Sequence, residues 1–205
     1  AMKTIGIVGG IASGKSLVAA QLQALGAWVV DADRLGHEVL EYPEVRDAIR
    51  DRWGDSVLGP DGRVDRAAVA RCVFRDPEEP SELRFLEQLT HPRIGDRLRA
   101  IVAEARREGR VKAVVIDAPL LFRAGLDALC DEIIFVEASR AIREARVAGR
   151  GWPGGELGRR EAAQDPLEEQ KKRATWVLDN SKSAEAARDE IARFWRERID
   201  REKDG

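Results

Sequence analysis

Residues 5–16 read IGIVGGIASGKS, a short apolar run that passes directly into a glycine-rich loop. The last eight of these residues match the pattern G-x-x-x-x-G-K-[ST] in full. Glycines in this pattern let backbone N–H groups turn inward around phosphate oxygens, and the helix that follows points the positive end of its dipole at the same anion. The stretch therefore predicts a strand, a phosphate-binding loop and a helix in succession.

Strands and helices alternate outward from this loop. Val18, Leu22 and Leu25 recur at helical spacing before Gly26, a residue suited to the end of a helix. Further short apolar runs predict strands at residues 28–30, 111–116, 132–136 and 174–178. The alternation predicts an α/β fold with a doubly wound, parallel, five-stranded sheet, and the sequence leaves the order of the strands open.

Two segments interrupt the alternation. Residues 34–110 carry helical patterns and no strong strand, and Thr90-His91-Pro92 is expected to begin a helix with Pro92 in its first turn. Residues 140–165 read as charged helices around the flexible stretch Gly151–Gly155. We expect one domain with a core (about 1–33, 111–139 and 166–205), an inserted helical lobe (about 34–110) and a lid (about 140–165).

Composition excludes several classes of protein. Charged residues make up 35% of the 205 residues, but the formal net charge is only −2, which is not the electrostatic footprint of a protein that binds nucleic acid or anionic lipid. Two cysteines and two histidines form no zinc-ligand pattern. There is neither an apolar run of roughly 20 residues nor a signal-peptide pattern. We expect a cytoplasmic protein without nucleic-acid or membrane partners, and the oligomeric state is not readable.

The chemistry of the loop predicts ATP with Mg²⁺ as its ligand. Lys15 supplies a mobile positive charge between the terminal phosphates, and the Ser16 hydroxyl is a magnesium ligand. The residues expected to hold the nucleotide here are Gly9, Gly10, Ile11, Ala12, Ser13, Gly14, Lys15, Ser16 and Leu17.

Aspartates at the ends of predicted strands are candidates for the chemistry of transfer. Asp117 follows a buried strand, where a carboxylate either holds the magnesium shell or caps the next turn. Asp31 and Asp33 end the second strand. Asp33 either accepts the proton of an acceptor hydroxyl or serves as the N-cap of the next helix, and one carboxylate can do both.

Arginines concentrate in the predicted lid. There are six between residues 140 and 160, namely Arg140, Arg143, Arg146, Arg150, Arg159 and Arg160. A mobile lid that carries them would close over ATP and neutralise charge on the transferring group. The alternative for most of them is a solvated helix with i,i+4 ion pairs, but we expect at least one to reach ATP.

Several motifs occur in the order that the dephospho-CoA kinase family shows. They are the loop with its preceding strand, Asp31-Ala32-Asp33, Asp65-Arg66, Thr90-His91-Pro92, the stretch DAPLLF at 117–122, Arg160-x-x-x-Gln164 and VLDN at 177–180. The chain resembles this family from Lys3 to about Ile199. It departs from the family pattern at Arg123, Gln170 and Thr175.

The resemblance implies transfer of the ATP γ-phosphate to the ribose 3′-hydroxyl of dephospho-CoA, which completes coenzyme A. It implies that the chain is one P-loop kinase domain in which the helical lobe of residues 34–110 binds the acceptor. It implies that Asp33 is the base, that Arg146 and Arg150 are lid arginines, that Arg160 belongs to the acceptor site, and that Asn180 lines the adenine pocket. The residues that it places at the border of the acceptor site are His91, Pro92, Asp117, Pro119, Leu120, Leu121 and Phe122.

Three other functions share some of these features. A P-loop kinase for a different alcohol or nucleotide would use the same loop, lid and aspartate. A GTP-binding switch is disfavoured because the guanine motif N-K-x-D is absent from the sequence. A non-catalytic ATP-binding module would leave Lys15, Ser16 and Asp33 unexplained.

Overall fold

A computed structural model describes residues 1–76, 80–162 and 164–200 of the chain. Its sheet contains five parallel strands in the order β2-β3-β1-β4-β5, which confirms the predicted fold class. The strands are β1 Lys3–Val8, β2 Ala27–Asp31, β3 Ala113–Asp117, β4 Glu132–Glu137 and β5 Trp176–Asp179. The third and fifth strands begin two residues later than predicted.

Helices lie between consecutive strands, except between β3 and β4, which are joined by a loop that contains a 3-10 turn. The helices are α1 Lys15–Ala24, α2 Ala32–Leu40, α3 Pro43–Trp53, α4 Arg66–Val73, α5 Ser81–Glu108, α6 Arg140–Ala148, α7 Glu156–Glu161, α8 Leu167–Arg173 and α9 Ala184–Phe194. Short 3-10 turns occupy Asp55–Val57 and Leu126–Leu129, and a π-helical turn continues α9 over Trp195–Ile199. In the part of the chain that the structure describes, no helix has the length and apolar character needed to cross a membrane.

The chain divides into two compact units. One comprises Ala1–Asp31 and the described residues from Ile101 onward, and its core joins apolar side chains of β1, α1 and α9, such as Ile5, Leu22 and Phe194. The other is Ala32–Ala100, with a separate core that includes Val39, Ile49 and Val69. The division into core, lobe and lid remains a prediction, and residues 77–79, 163 and 201–205 of its segments lie outside the described residues.

The predicted helix start at Thr90-His91-Pro92 is wrong, because all three residues lie inside the long helix α5. Proline inside a helix removes a backbone N–H and disturbs the preceding turn. Two polar side chains bond carbonyls of that turn: Thr90 Oγ1 donates to Leu86 O at 2.8 Å, and Arg93 Nη1 donates to Leu89 O at 2.6 Å. Neither bond reaches Gln88 O, the carbonyl that would accept from a backbone N–H at position 92, and α5 nevertheless continues through the proline.

Candidate active site

The carboxyl edge of the sheet collects the predicted polar residues of the first unit. Asp31 and Asp117 are the last residues of β2 and β3, and they are register partners. The next strand, β1, continues directly into Gly9. Asn180 follows β5 and donates its backbone N–H to Glu137 O at the end of β4, at 2.7 Å. Ligands of open parallel sheets bind beyond this edge, so the fold supports the predicted location of the site.

The backbone of the loop requires its glycines at two positions. Gly9 has φ +142° and Gly14 has φ +101°, a conformation that residues with a side chain rarely adopt. A Cβ at Gly9 would lie 2.5 Å from Val136 O, and a Cβ at Gly14 would lie 2.1 Å from Asn180 Nδ2. The loop therefore packs against the end of β4 and against Asn180 at a distance that only glycine permits.

Lys15 folds back over the loop from the first turn of α1. Its Nζ donates to Gly9 O at 2.8 Å and to Gly10 O at 3.0 Å. Ser16 is exposed in the same turn, and Leu17 N donates to Gly14 O at 3.0 Å. The ammonium group thus lies beside the loop, where a bound triphosphate would compete with the two carbonyls for it.

Arg146 and Asn180 bond to the carbonyls of the loop. Arg146 Nη1 donates to Ala12 O and to Ser13 O, both at 3.0 Å, and its Nη2 donates to Asn180 O at 3.0 Å. The Asn180 amide, which is buried, donates to Ser13 O at 2.6 Å. Two residues that the resemblance assigned to the nucleotide are therefore joined to each other and to the loop.

Arg143 and Gln170 also contact the loop, although sequence reasoning did not place them in the site. Arg143 was predicted only as one of the lid arginines, and Gln170 was noted only as a departure from the family pattern. Arg143 Nη1 donates to Ile11 O at 3.4 Å, and Gln170 Oε1 accepts from Gly9 N at 3.1 Å. These bonds join residues 132 and 161 positions apart, so no local pattern could have revealed them.

The other two arginines with predicted roles differ from Arg146 in their surroundings. Arg150 is exposed just beyond the end of α6. Arg160 stacks over the ring of Trp152, 4.1 Å from its centroid, and donates from Nε to Glu156 Oε1 at 2.7 Å. The side chain of Arg160 is therefore held by its neighbours within the 140–165 segment, whereas that of Arg146 reaches the loop.

The segment after β3 combines one core anchor with more accessible neighbours. Leu121 is 1% exposed and packs against Gly6 of β1, where a Cβ would lie 2.7 Å from Leu121 Cδ2. Pro119, Leu120 and Phe122 are half-buried, and the guanidinium of Arg173 lies 3.9 Å from the Phe122 ring centroid. Leu121 thus anchors the segment, and its three neighbours are the apolar side chains available to a ligand.

Two ionisable groups near the carboxyl edge have pKa values shifted toward their charged forms. The Ser181 backbone N–H donates to Asp179 at 2.9 Å and lowers the pKa of that carboxyl. The bond from Lys171 Nζ to Glu137 Oε1, at 2.6 Å, raises the pKa of the lysine. Both groups stay ionised at neutral pH.

The remaining predicted residues belong to the second unit. Asp33 is exposed in the first turn of α2, which begins at Ala32, so it lies inside the helix and not at the N-cap that was considered as the alternative to catalysis. A carboxylate there still interacts favourably with the helix dipole. In α5, His91 is half-buried and Pro92 is exposed.

The motif Asp65-Arg66 has a clear local structure in the same unit. Asp65 is the N-cap of α4, and its Oδ1 accepts from the N–H groups of the second and third helical residues at 2.9 and 3.1 Å. Arg66 Nη1 lies 2.8 Å from both ring nitrogens of His37, a residue that the sequence analysis did not single out.

A parallel sheet of this order, with a lysine-bearing phosphate loop between β1 and α1, defines the class of P-loop nucleotide-binding proteins. The family model described as CoaE, dephospho-CoA kinase, matches residues 3–186. The chain belongs to the dephospho-CoA kinase family, which confirms the resemblance read from its motifs.

Relatives match nearly the full length of the chain. The dephospho-CoA kinase of Geobacter metallireducens is 41% identical over 202 residues, which cover 98% of both chains. That of Symbiobacterium thermophilum is 40% identical over 95% of this chain and 81% of its own. Among solved structures, a Thermus thermophilus protein has 36% identity and a TM-score of 0.77 over 96% of this chain and 98% of its own.

A solved structure with lower sequence identity has the same fold. The dephospho-CoA kinase of Campylobacter jejuni, at 22% identity, has a TM-score of 0.73 over 96% of this chain and 97% of its own. At that identity the likeness supports the fold alone, and it agrees with the strand order described above.

Proposed function

We propose that this protein transfers the γ-phosphoryl group of ATP to the ribose 3′-hydroxyl of dephospho-CoA, which yields coenzyme A and ADP. The observation that carries the proposal is the intact loop Gly9–Ser16, with its lysine and arginine contacts, in a chain whose family match spans residues 3–186. In the reaction the hydroxyl oxygen bonds to the γ-phosphorus, the bond from that phosphorus to the β,γ-bridging oxygen breaks, and ADP leaves.

The nucleotide half of the site is assigned to the loop and its neighbours. The loop of residues 9–17 holds the phosphates through its inward-facing N–H groups, apart from those of Gly9, Ser13 and Leu17, which bond to Gln170, to Gly10 O and to Gly14 O. Lys15 exchanges its carbonyl partners for phosphate oxygens. Asn180 lines the adenine pocket, and Arg146 stabilises charge on the transferring group from its place beside the loop. Arg150 joins it when the predicted lid closes over ATP.

Magnesium is assigned to the Ser16 hydroxyl and the Asp117 carboxylate. Magnesium is usually held by one or two protein oxygens together with the substrate phosphates, and an exposed hydroxyl and a strand-end carboxylate supply that donor set. No cluster of three or more His, Cys, Asp or Glu side chains suited to a metal occurs among the described residues. When bound, the ion neutralises charge on the phosphates.

The acceptor half is assigned to residues of the family motifs. Asp33 orients the 3′-hydroxyl and takes its proton as the new bond forms. The acceptor is bordered by His91, Pro92, Asp117, Pro119, Leu120, Phe122 and Arg160, and Leu121 holds the central segment in place. The reaction needs no covalent intermediate, so positioning and charge stabilisation supply most of the catalysis.

The test is ADP release from ATP·Mg²⁺ with a panel of acceptors: dephospho-CoA, nucleoside monophosphates, nucleosides, shikimate, pantetheine and no acceptor. Of these acceptors, we expect only dephospho-CoA to cause ADP release, together with formation of coenzyme A. Turnover with another acceptor and none with dephospho-CoA would discard the assigned substrate and keep the kinase. A preference for GTP over ATP would point to the switch instead. The cytoplasmic location and the absence of nucleic-acid partners remain predictions.

A further inference from the structure

Gln170 connects the start of the phosphate loop to the segment that follows α7. It lies in α8 and is 3% exposed. Its Oε1 accepts from Gly9 N at 3.1 Å, and its Nε2 donates to Asp165 O at 2.8 Å. Because one partner is a donor and the other an acceptor, the orientation of the amide is fixed, and both buried backbone groups are satisfied.

Arg143 makes a second connection from α6. Its Nη1 donates to Ile11 O at 3.4 Å, its Nε donates to Ala138 O at 3.2 Å, and its guanidinium pairs with the Glu161 carboxylate. The side chains of Arg143 and Glu161 are only 6% and 16% exposed. A Cβ at Gly10 would lie 2.8 Å from Arg143 Nη1, so the guanidinium fills the space beside the second glycine of the loop.

These bonds occupy the Gly9 N–H and the Ile11 carbonyl. Because a peptide group is planar, each bond also fixes the direction of the other polar group of the same peptide. Preorganised N–H groups bind and stabilise phosphate charge without reorganisation at the moment of binding. The partners at the far end of both connections are Glu161 and Asp165, within the predicted lid.

We infer that Gln170 and the Arg143–Glu161 pair form a latch that positions the phosphate loop for the triphosphate of ATP. This inference rests on the proposed use of ATP by the loop. Gln170 and Arg143 contact the loop, and Glu161 contacts Arg143, so we treat all three as positioning residues. They make the geometry of the loop depend on Glu161, Asp165 and Gln170, in addition to the strand and helix that flank it.

The first test replaces Gln170 with methionine, which has a similar length and no hydrogen-bonding amide. We expect the Kd of ATP to rise about tenfold, equivalent to ~1.4 kcal/mol, because Gly9 N loses its partner. The Kd of adenosine, which has no phosphates, should stay within twofold. A general loss of folded structure would weaken both ligands equally. Gln23→Met is the matched control, because Gln23 is exposed in the last turn of α1.

The second test removes the charge of the carboxylate with Glu161→Gln, which keeps the shape of the side chain. This variant also tests the latch if Gln170→Met does not fold. We expect the Kd of ATP to rise about threefold to fivefold, again with adenosine within twofold. The double variant should weaken ATP binding by less than the product of the single effects, because both act on one loop.

The latch is refuted if the Kd of ATP stays within twofold in both single variants, or if ATP and adenosine weaken together. Binding is measured without acceptor, so these outcomes are independent of catalysis. A selective loss of ATP affinity in a chain that does not phosphorylate dephospho-CoA would keep the latch and remove the assigned substrate.

Discussion

Replacement of Gly14 by alanine tests how much the close packing of Asn180 against the phosphate loop contributes to stability and to ATP binding. Gly14 and Gly26 have almost the same backbone angle, with φ of +101° and +103°, but their surroundings differ. A Cβ at Gly14 would lie 2.1 Å from Asn180 Nδ2, whereas a Cβ at Gly26 would have no heavy atom within 4 Å. Gly26→Ala therefore measures backbone strain alone, and Gly14→Ala measures strain together with displacement of Asn180.

The magnitudes follow from these two contributions. Left-handed backbone strain costs about 1–2 kcal/mol for a residue with a side chain, so we expect Gly26→Ala to lower the free energy of unfolding by that amount. Displacing Asn180 also breaks its 2.6 Å bond to Ser13 O between buried groups, which adds about 1–3 kcal/mol. Gly14→Ala should therefore lose about 2–5 kcal/mol and bind ATP at least tenfold more weakly, while Gly26→Ala binds ATP normally.

The assays are urea unfolding followed by tryptophan fluorescence and titration calorimetry with ATP. A third variant, Asn180→Ala, removes the group that the new Cβ meets. In that background, the cost of Gly14→Ala should fall to that of Gly26→Ala. The reasoning fails if Gly14→Ala and Gly26→Ala lower the free energy of unfolding equally and Gly14→Ala retains ATP affinity. Displacement of the Asn180 side chain would then cost no free energy.

Three further predictions concern other parts of the chain. Asp33→Asn should lower turnover far more than ATP affinity, and turnover within about threefold of the parent, ~0.7 kcal/mol in barrier, would remove its role as the base. Pro92→Ala restores an N–H that can donate to Gln88 O inside α5, so urea unfolding should report a gain of about 1–3 kcal/mol; a loss would mean that the proline ring itself is needed. Burial raises the pKa of the Cys130 thiol from 9.0 to about 12, so the folded state favours the neutral thiol. The contribution of this thiol to the free energy of unfolding is therefore complete below pH 9 and declines toward pH 12, by up to ~1.4 kcal/mol per pH unit. Between pH 8.5 and 10.5, the free energy of unfolding measured in urea should fall more steeply with pH for the parent than for Cys130→Ala.

Local patterns predicted most of the elements of the core correctly. The run of residues 5–8, the glycine loop and the helical spacing that ends at Gly26 correspond to β1, the loop and α1. These predictions were correct because strand and helix periodicity, and the need for glycine at positive φ, are properties of neighbouring residues.

Prediction failed where a local rule did not decide the start of a helix. Pro92 suits the first turn of a helix, but α5 begins eleven residues earlier, at Ser81, and runs through it. The N-cap role considered for Asp33 as the alternative to catalysis also differs from the structure, because α2 begins one residue before it. Local propensity is a weak guide, and the tertiary context overrides it.

The sequence by itself determined the phosphate loop and the family, because Gly9–Ser16 and the motifs downstream specify their chemistry through residues that are adjacent in the chain. Only the tertiary structure decided which side chains hold that loop. The order β2-β3-β1-β4-β5 places β4 directly beside β1 and β5 beside β4. The helices and loops next to those strands therefore bring Arg143, Gln170 and Asn180 to the loop from more than 130 residues away. Contacts of that range depend on strand order, and strand order is set by the packing of the whole sheet, which no window of the sequence contains.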